Sequence, residues 1–60
     1  AQSFPIFEMG QIHFLLGNFK ETETFYAHAL QIRKSQLKPE DPDLMAVYTS
    51  LDELNAARKP

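Results

Sequence analysis

His13 and His28 are the only imidazoles in this 60-residue chain, and the absence of cysteine removes any thiolate metal site. Zinc needs three or four convergent ligands, and neither histidine has a His-x-x-x-His partner or a carboxylate at ligand spacing. His13 is therefore expected as a partly buried spacer, and His28 as an outward-facing residue. Glu8, Glu21 and Glu23 are the carboxylates that could suggest acid–base work, which requires a pocket that drives two pKa values apart. Glu21 and Glu23 lie two residues apart and cannot face each other on a helix, so they read as solvated charges. Ser3, Ser35 and Ser50 have no nucleophile-elbow or histidine-paired context. Gly10 and Gly17 are not followed by the Lys and Ser or Thr of a phosphate loop. The expectation is a chain with no catalytic centre, no metal, no cofactor and no enzymatic activity.

The elements that would position a site must come from a small chain. About 60% of the unfolded surface is buried by a domain of this size, so a free-standing core is marginal and further packing partners are expected. Six Lys and Arg against eight Asp and Glu leave a net charge of −2. No basic cluster offers the phosphate contacts that nucleic-acid binding needs. No apolar run approaches the roughly 20 residues of a membrane span, and no basic segment precedes an apolar one as in a cleaved signal. Lack of cysteine fits an intracellular, cytoplasmic setting. The first residue is Ala1 and not Met, which points to a processed, excised or partial chain.

Pro and Gly divide the chain into three helical segments. The first, about 4–16, is apolar nearly all round, with Phe4, Ile6, Phe7, Met9, Ile12, Phe14, Leu15 and Leu16, as expected of a helix covered on most sides. Ser3 can cap it, Pro5 is tolerated in its first turn, and Gly17-Asn18 supplies a stop and a tight turn. The second, about 19–37, places Phe19, Thr22, Tyr26, Ala29, Leu30, Arg33 and Leu37 on one stripe. Lys38-Pro39 ends it, because the residue before a proline is pushed out of helical geometry. Asp41-Pro42-Asp43 opens the third, about 42–56, with an N-cap, a proline at the first helical position and a negative charge at the positive end of the dipole. Leu44, Val47, Tyr48, Leu51 and Leu54 then recur at spacings of 3 and 4, and residues 55–60 are expected to fray. Phe19, Tyr26 and Tyr48 are expected in the core.

The first and third segments align at an offset of 42 residues, Met9 with Leu51 and Ile12 with Leu54. Across the first two segments the order of small and large residues is Met9-Gly10, then Gly17-Asn18-Phe19, then Thr22, Tyr26 and Ala29. This pattern resembles the tetratricopeptide repeat. The run FKETETFYAHALQIRKSQLKPEDPDL is similar to the 42-residue variant of kinesin light chains and nephrocystin-like proteins. The resemblance covers about residues 6–54. It implies an all-α fold, an antiparallel helix hairpin plus a third helix, about one and a half repeats of a right-handed α-solenoid. Gly10 and Ala29 would then be small so that the paired helices cross closely, with Phe19 and Tyr26 filling the space beside them. Gly17 would supply the left-handed turn residue, and Pro39 and Pro42 would stiffen the step to the next helix.

The same resemblance implies a protein–protein interaction scaffold that binds a protein or peptide partner, with no nucleic acid and no membrane involved. The rest of a parent chain or self-association would cover its remaining faces. Phe7, Gln11 and Phe14 match positions that line a concave groove, and their counterparts on the third helix are Thr49, Glu53 and Ala56. Such a groove favours an apolar or basic segment over an acidic tail. Four departures from the family pattern matter. Thr22 replaces an alanine, His13 takes a position often aromatic, and Lys38 replaces the glycine that ends the second helix. Asp52 stands where a following repeat would need Gly or Ala, and a carboxylate there is costly under a packed helix. The third helix is thus expected to end an array. The alternative function is a terminal structural cap or oligomerisation element with no peptide-binding role.

Overall fold

The computed structural model describes residues 3–58, with Ser3 and Phe4 described by backbone alone. Those residues form three helices and no strand: α1 (Ser3–Leu15), α2 (Phe19–Gln36) and α3 (Pro42–Arg58). α1 includes Ser3 as its first residue, so the expected Ser3 cap falls on a side chain outside the described set. α3 runs on to Arg58 and does not fray from Asn55. Lys59 and Pro60, the rest of the segment expected to fray, lie outside the described residues.

Each boundary has a local cause. Gly17 adopts φ +81°, and its N–H donates to the Phe14 carbonyl at 3.1 Å while the Asn18 N–H donates to the His13 carbonyl at 2.9 Å. This is the paired bonding of a Schellman stop, which satisfies carbonyls that the helix end leaves open. α2 ends without a left-handed residue: Leu37 turns extended at φ −117°, ψ 157° and its N–H donates to the Arg33 carbonyl at 2.7 Å. Pro39 then forbids a return to helix. At the start of α3 the Asp41 carboxylate accepts from the Asp43 N–H at 2.9 Å, the N-cap bond expected from Asp41-Pro42-Asp43.

α2 is the central element. It packs against α1 on one side and α3 on the other, while α1 and α3 scarcely touch. The apolar core comprises Phe7, Tyr26, Ala29, Leu44, Val47 and Leu54, with Ile6, Phe14, Phe19, Leu30 and Leu51 half-buried around it. At Gly10 α1 and α2 approach closely. A Cβ there would stand 2.7 Å from Tyr26 Cδ1 and Cε1 and 3.1 Å from Phe25 Cβ. The small residue expected at that crossing therefore serves the Tyr26 ring. Thr22 is fully buried, and its hydroxyl is satisfied by donating to the Asn18 carbonyl at 2.9 Å.

One core assignment needs correction, and one stripe residue proves buried despite its charge. Tyr48 is not a core residue: it is 38% exposed, at the rim of a hollow that it shares with Lys34 and Leu37 of α2. Arg33, placed on the α2 stripe by spacing alone, is 2% exposed and belongs to the interior. Its guanidinium lies over the Phe7 ring, 4.7 Å from the centroid, and its Nη1 donates to the Asp43 carbonyl. A planar cation can be buried this way because stacking and hydrogen bonding replace its hydration. No buried side-chain nitrogen or oxygen among the described residues lacks a partner.

Candidate functional site

The spacing imposed by α2 opens a groove between α1 and α3. It encloses about 270 Å³ and is lined by Gln11, Phe14, Leu15, Tyr26, Ser50 and Glu53. Gln11, Phe14 and Leu15 come from α1 and Ser50 and Glu53 from α3, while Tyr26 of α2 forms the floor. Gln11 and Phe14 share a face through their three-residue separation, as do Ser50 and Glu53.

The five residues expected to line a groove divide. Gln11, Phe14 and Glu53 are brought together in it. Thr49 is exposed on α3 but lies outside the lining, as does Ala56. Phe7 is 9% exposed and packs into the core against Tyr26 at 5.3 Å between ring centroids. A helix apolar nearly all round gives no periodic signal for which aromatic turns inward, and the Arg33 guanidinium holds Phe7 on the α2 side. Phe14 is half-buried, tilted against Phe19 at 5.8 Å, so one ring edge packs while the rest faces the groove.

Leu15, Tyr26 and Ser50 complete the lining and were not anticipated there. A buried tyrosine hydroxyl needs a polar partner, which is the signal that could have found Ser50. Burial raises the Tyr26 pKa; a hydrogen bond with the Ser50 side chain lowers it, and the Glu53 charge raises it again. The phenol is therefore held in its neutral form, presenting a hydroxyl at the base of the groove. Glu53 is the only charged residue among the described residues of that lining. The groove thus combines apolar walls from Phe14 and Leu15 with an amide, two hydroxyls and one carboxylate.

The remaining candidate residues are placed apart from the groove. His13 stacks on Phe25 at 5.3 Å with an 11° interplanar angle, and Asn18 Nδ2 donates to its Nδ1 at 3.2 Å. That contact occupies the Asn18 side chain, which makes no capping bond to α2. His28, Glu8 and Glu21 are exposed. Glu23 is also exposed and pairs with Arg58 at 2.8 Å across the α2–α3 contact. Exposed pairs of this kind contribute about 0.2–1 kcal/mol.

A second hollow of about 300 Å³ lies where α2, the linker and α3 meet, lined by Lys34, Leu37, Pro39, Leu44, Met45 and Tyr48. No cluster of three or more His, Cys, Asp or Glu residues able to hold a metal occurs among the described residues. No described helix is long and apolar enough to cross a membrane. No protein family, curated protein or solved structure matches the chain.

Proposed function

We propose that the chain is a segment of a tetratricopeptide-like helical-repeat scaffold that holds a protein segment in the groove between α1 and α3. The observation that carries this reading is the groove itself. A central helix keeps two flanking helices apart, and Gln11, Phe14, Leu15, Ser50 and Glu53 converge over the Tyr26 floor. Rigid helices that present apolar walls with a few convergent polar groups favour binding by surface complementarity. The single carboxylate, Glu53, favours a ligand with a Lys or Arg beside an apolar anchor, and a net charge of −2 acts in the same direction. The Tyr26 and Ser50 hydroxyls and the Gln11 amide would take backbone or side-chain hydrogen bonds.

Selection from a random peptide display library tests the proposal directly. Peptides pairing a basic residue with an apolar one are expected. Phe14→Ala and Glu53→Lys should each weaken them at least about tenfold, the loss typical of truncating a central contact, with circular dichroism unchanged. Selection that yields no peptide, or peptides indifferent to both substitutions, would sink the groove reading. Phe7→Ala is unsuitable for this purpose, because Phe7 is a core residue.

A second reading, a terminal cap without a ligand, is favoured by one observation. Thr49, Asp52 and Asn55 make the side of α3 facing away from α2 polar and exposed. Intact folding with no peptide selected is its expected signature.

A further inference from the structure

α1 and α3 bury complementary faces. Besides the buried Leu44, the α3 residues turned toward α2 are Val47, Ser50, Leu51, Leu54 and Arg58: the first four of these five are buried or half-buried and Arg58 pairs with Glu23. At the 42-residue offset their α1 equivalents are Pro5, Glu8, Met9, Ile12 and Leu16, and every one of these is exposed. The converse also holds. Ile6, Phe7, Gly10, His13 and Phe14 are buried or half-buried on the α2 side of α1, whereas Tyr48, Thr49, Asp52, Asn55 and Ala56 are exposed on α3.

The two open faces differ in chemistry. Pro5, Met9, Ile12 and Leu16 form a continuous apolar stripe at spacings of 4, 3 and 4, with Met9 44%, Ile12 52% and Leu16 67% exposed. Glu8 is the one charge beside it. The α3 face has Asp52 in the place of Gly10, and the approach that Tyr26 makes to Gly10 leaves no room even for a Cβ. A helix seated on α3 as α2 sits on α1 would have to bury that carboxylate.

We propose that the outer face of α1 docks one further helix with the character of α2, extending the existing α2–α3 interface, and that the outer face of α3 ends the stack. The proposal rests on the repeat reading and not on use of the groove. The occupant's chemistry follows from the substitutions between the two faces. Glu8 stands where Ser50 meets the Tyr26 hydroxyl, so the incoming helix carries a hydroxyl or a cation opposite it. Leu16 stands where Arg58 meets Glu23, so the incoming helix carries an apolar residue in place of that glutamate. A second copy of this chain cannot supply this helix directly, because its α2 already carries α1 on one face and α3 on the other.

A tandem chain tests the assignment: residues 1–42 placed ahead of the full 60 residues put an α2 before α1 at the spacing α2 has before α3. Denaturation and amide hydrogen exchange provide the readouts. A single cooperative transition at higher urea than the 60-residue chain is expected, with exchange of amides 6–16 in the second unit slowed at least about tenfold. Glu23→Leu in the added unit should raise the transition further, by facing Leu16 with an apolar group. Ile12→Asp in the second unit should abolish the gain, and in the 60-residue chain it should leave helicity intact. Two independent transitions, unchanged exchange, or no benefit from Glu23→Leu would overturn the proposal. So would a concentration-dependent dimer of the 60-residue chain that Ile12→Asp dissociates, which would give the face to a second copy. Failure of peptide selection with the tandem gain intact would remove the groove reading alone.

Discussion

Replacing Gly10 with alanine sets two opposing effects against each other at a position where geometry decides the sign. Alanine in a helix interior is favoured over glycine by about 1 kcal/mol. Against this, the new methyl would lie 2.7 Å from two Tyr26 ring carbons, while carbon atoms rest at about 3.5–4.0 Å. One partner must move by roughly 1 Å. The ring cannot easily do so: it is 2% exposed, packed on Phe7, and tied through its hydroxyl to Ser50. α1 must then lift from α2, which places the cost near the upper end of the about 1–3 kcal/mol range for overpacking. The expected net loss is about 2 kcal/mol, a large share of the about 3–9 kcal/mol available to a chain of this length. With a urea dependence near 1 kcal/mol/M, the midpoint should fall by about 2 M. In a Tyr26→Leu background the same substitution should become neutral or stabilising, because the ring carbons are gone. A Gly10→Ala chain as stable as the parent would refute the close approach and with it the reason for glycine at this crossing.

Two further outcomes follow from the turn and from the groove floor. Gly17→Ala meets no atom within 4 Å, so its cost is purely the left-handed backbone at φ +81°. A loss of about 1–2 kcal/mol is expected by urea titration, with no change in the α1–α2 contact. Tyr26 has a pKa raised above its ordinary value of 10.0. Its contribution to stability is accordingly full below pH 10.0 and is lost as pH rises through the folded-state value. The urea midpoint should fall across that alkaline window in the parent, and the fall should shrink in Tyr26→Phe; an equal fall in both would rule out the buried phenol as its source.

Helix boundaries were legible because they are written in residues with few conformational options. Gly17, Pro39 and the Asp41-Pro42 pair act locally, and no distant neighbour needs to be known to read them. The inward faces were harder. Phe7 and Tyr48 belong to environments that spacing does not reveal, Phe7 because α1 is apolar on every side and Tyr48 because the path of the linker leaves a hollow open beside it. Arg33 sat visibly among apolar residues, yet its role depends on α3 starting close enough to offer the Asp43 carbonyl. Of the groove residues, Gln11, Phe14 and Glu53 could be chosen by analogy of position. Thr49 missed the lining, and Ser50, one residue on, replaced it because it is the side chain that reaches the Tyr26 hydroxyl.

Tyr26 touches both flanking helices, meeting Gly10 and Phe7 on α1 and Ser50 on α3. α1 and α3 have almost no direct contact through which to regulate their separation. One aromatic ring therefore acts as a calliper, setting the breadth of the opening above it. Substitution at position 26 becomes a way to retune the size of a guest the opening accepts, without altering a single residue on its walls.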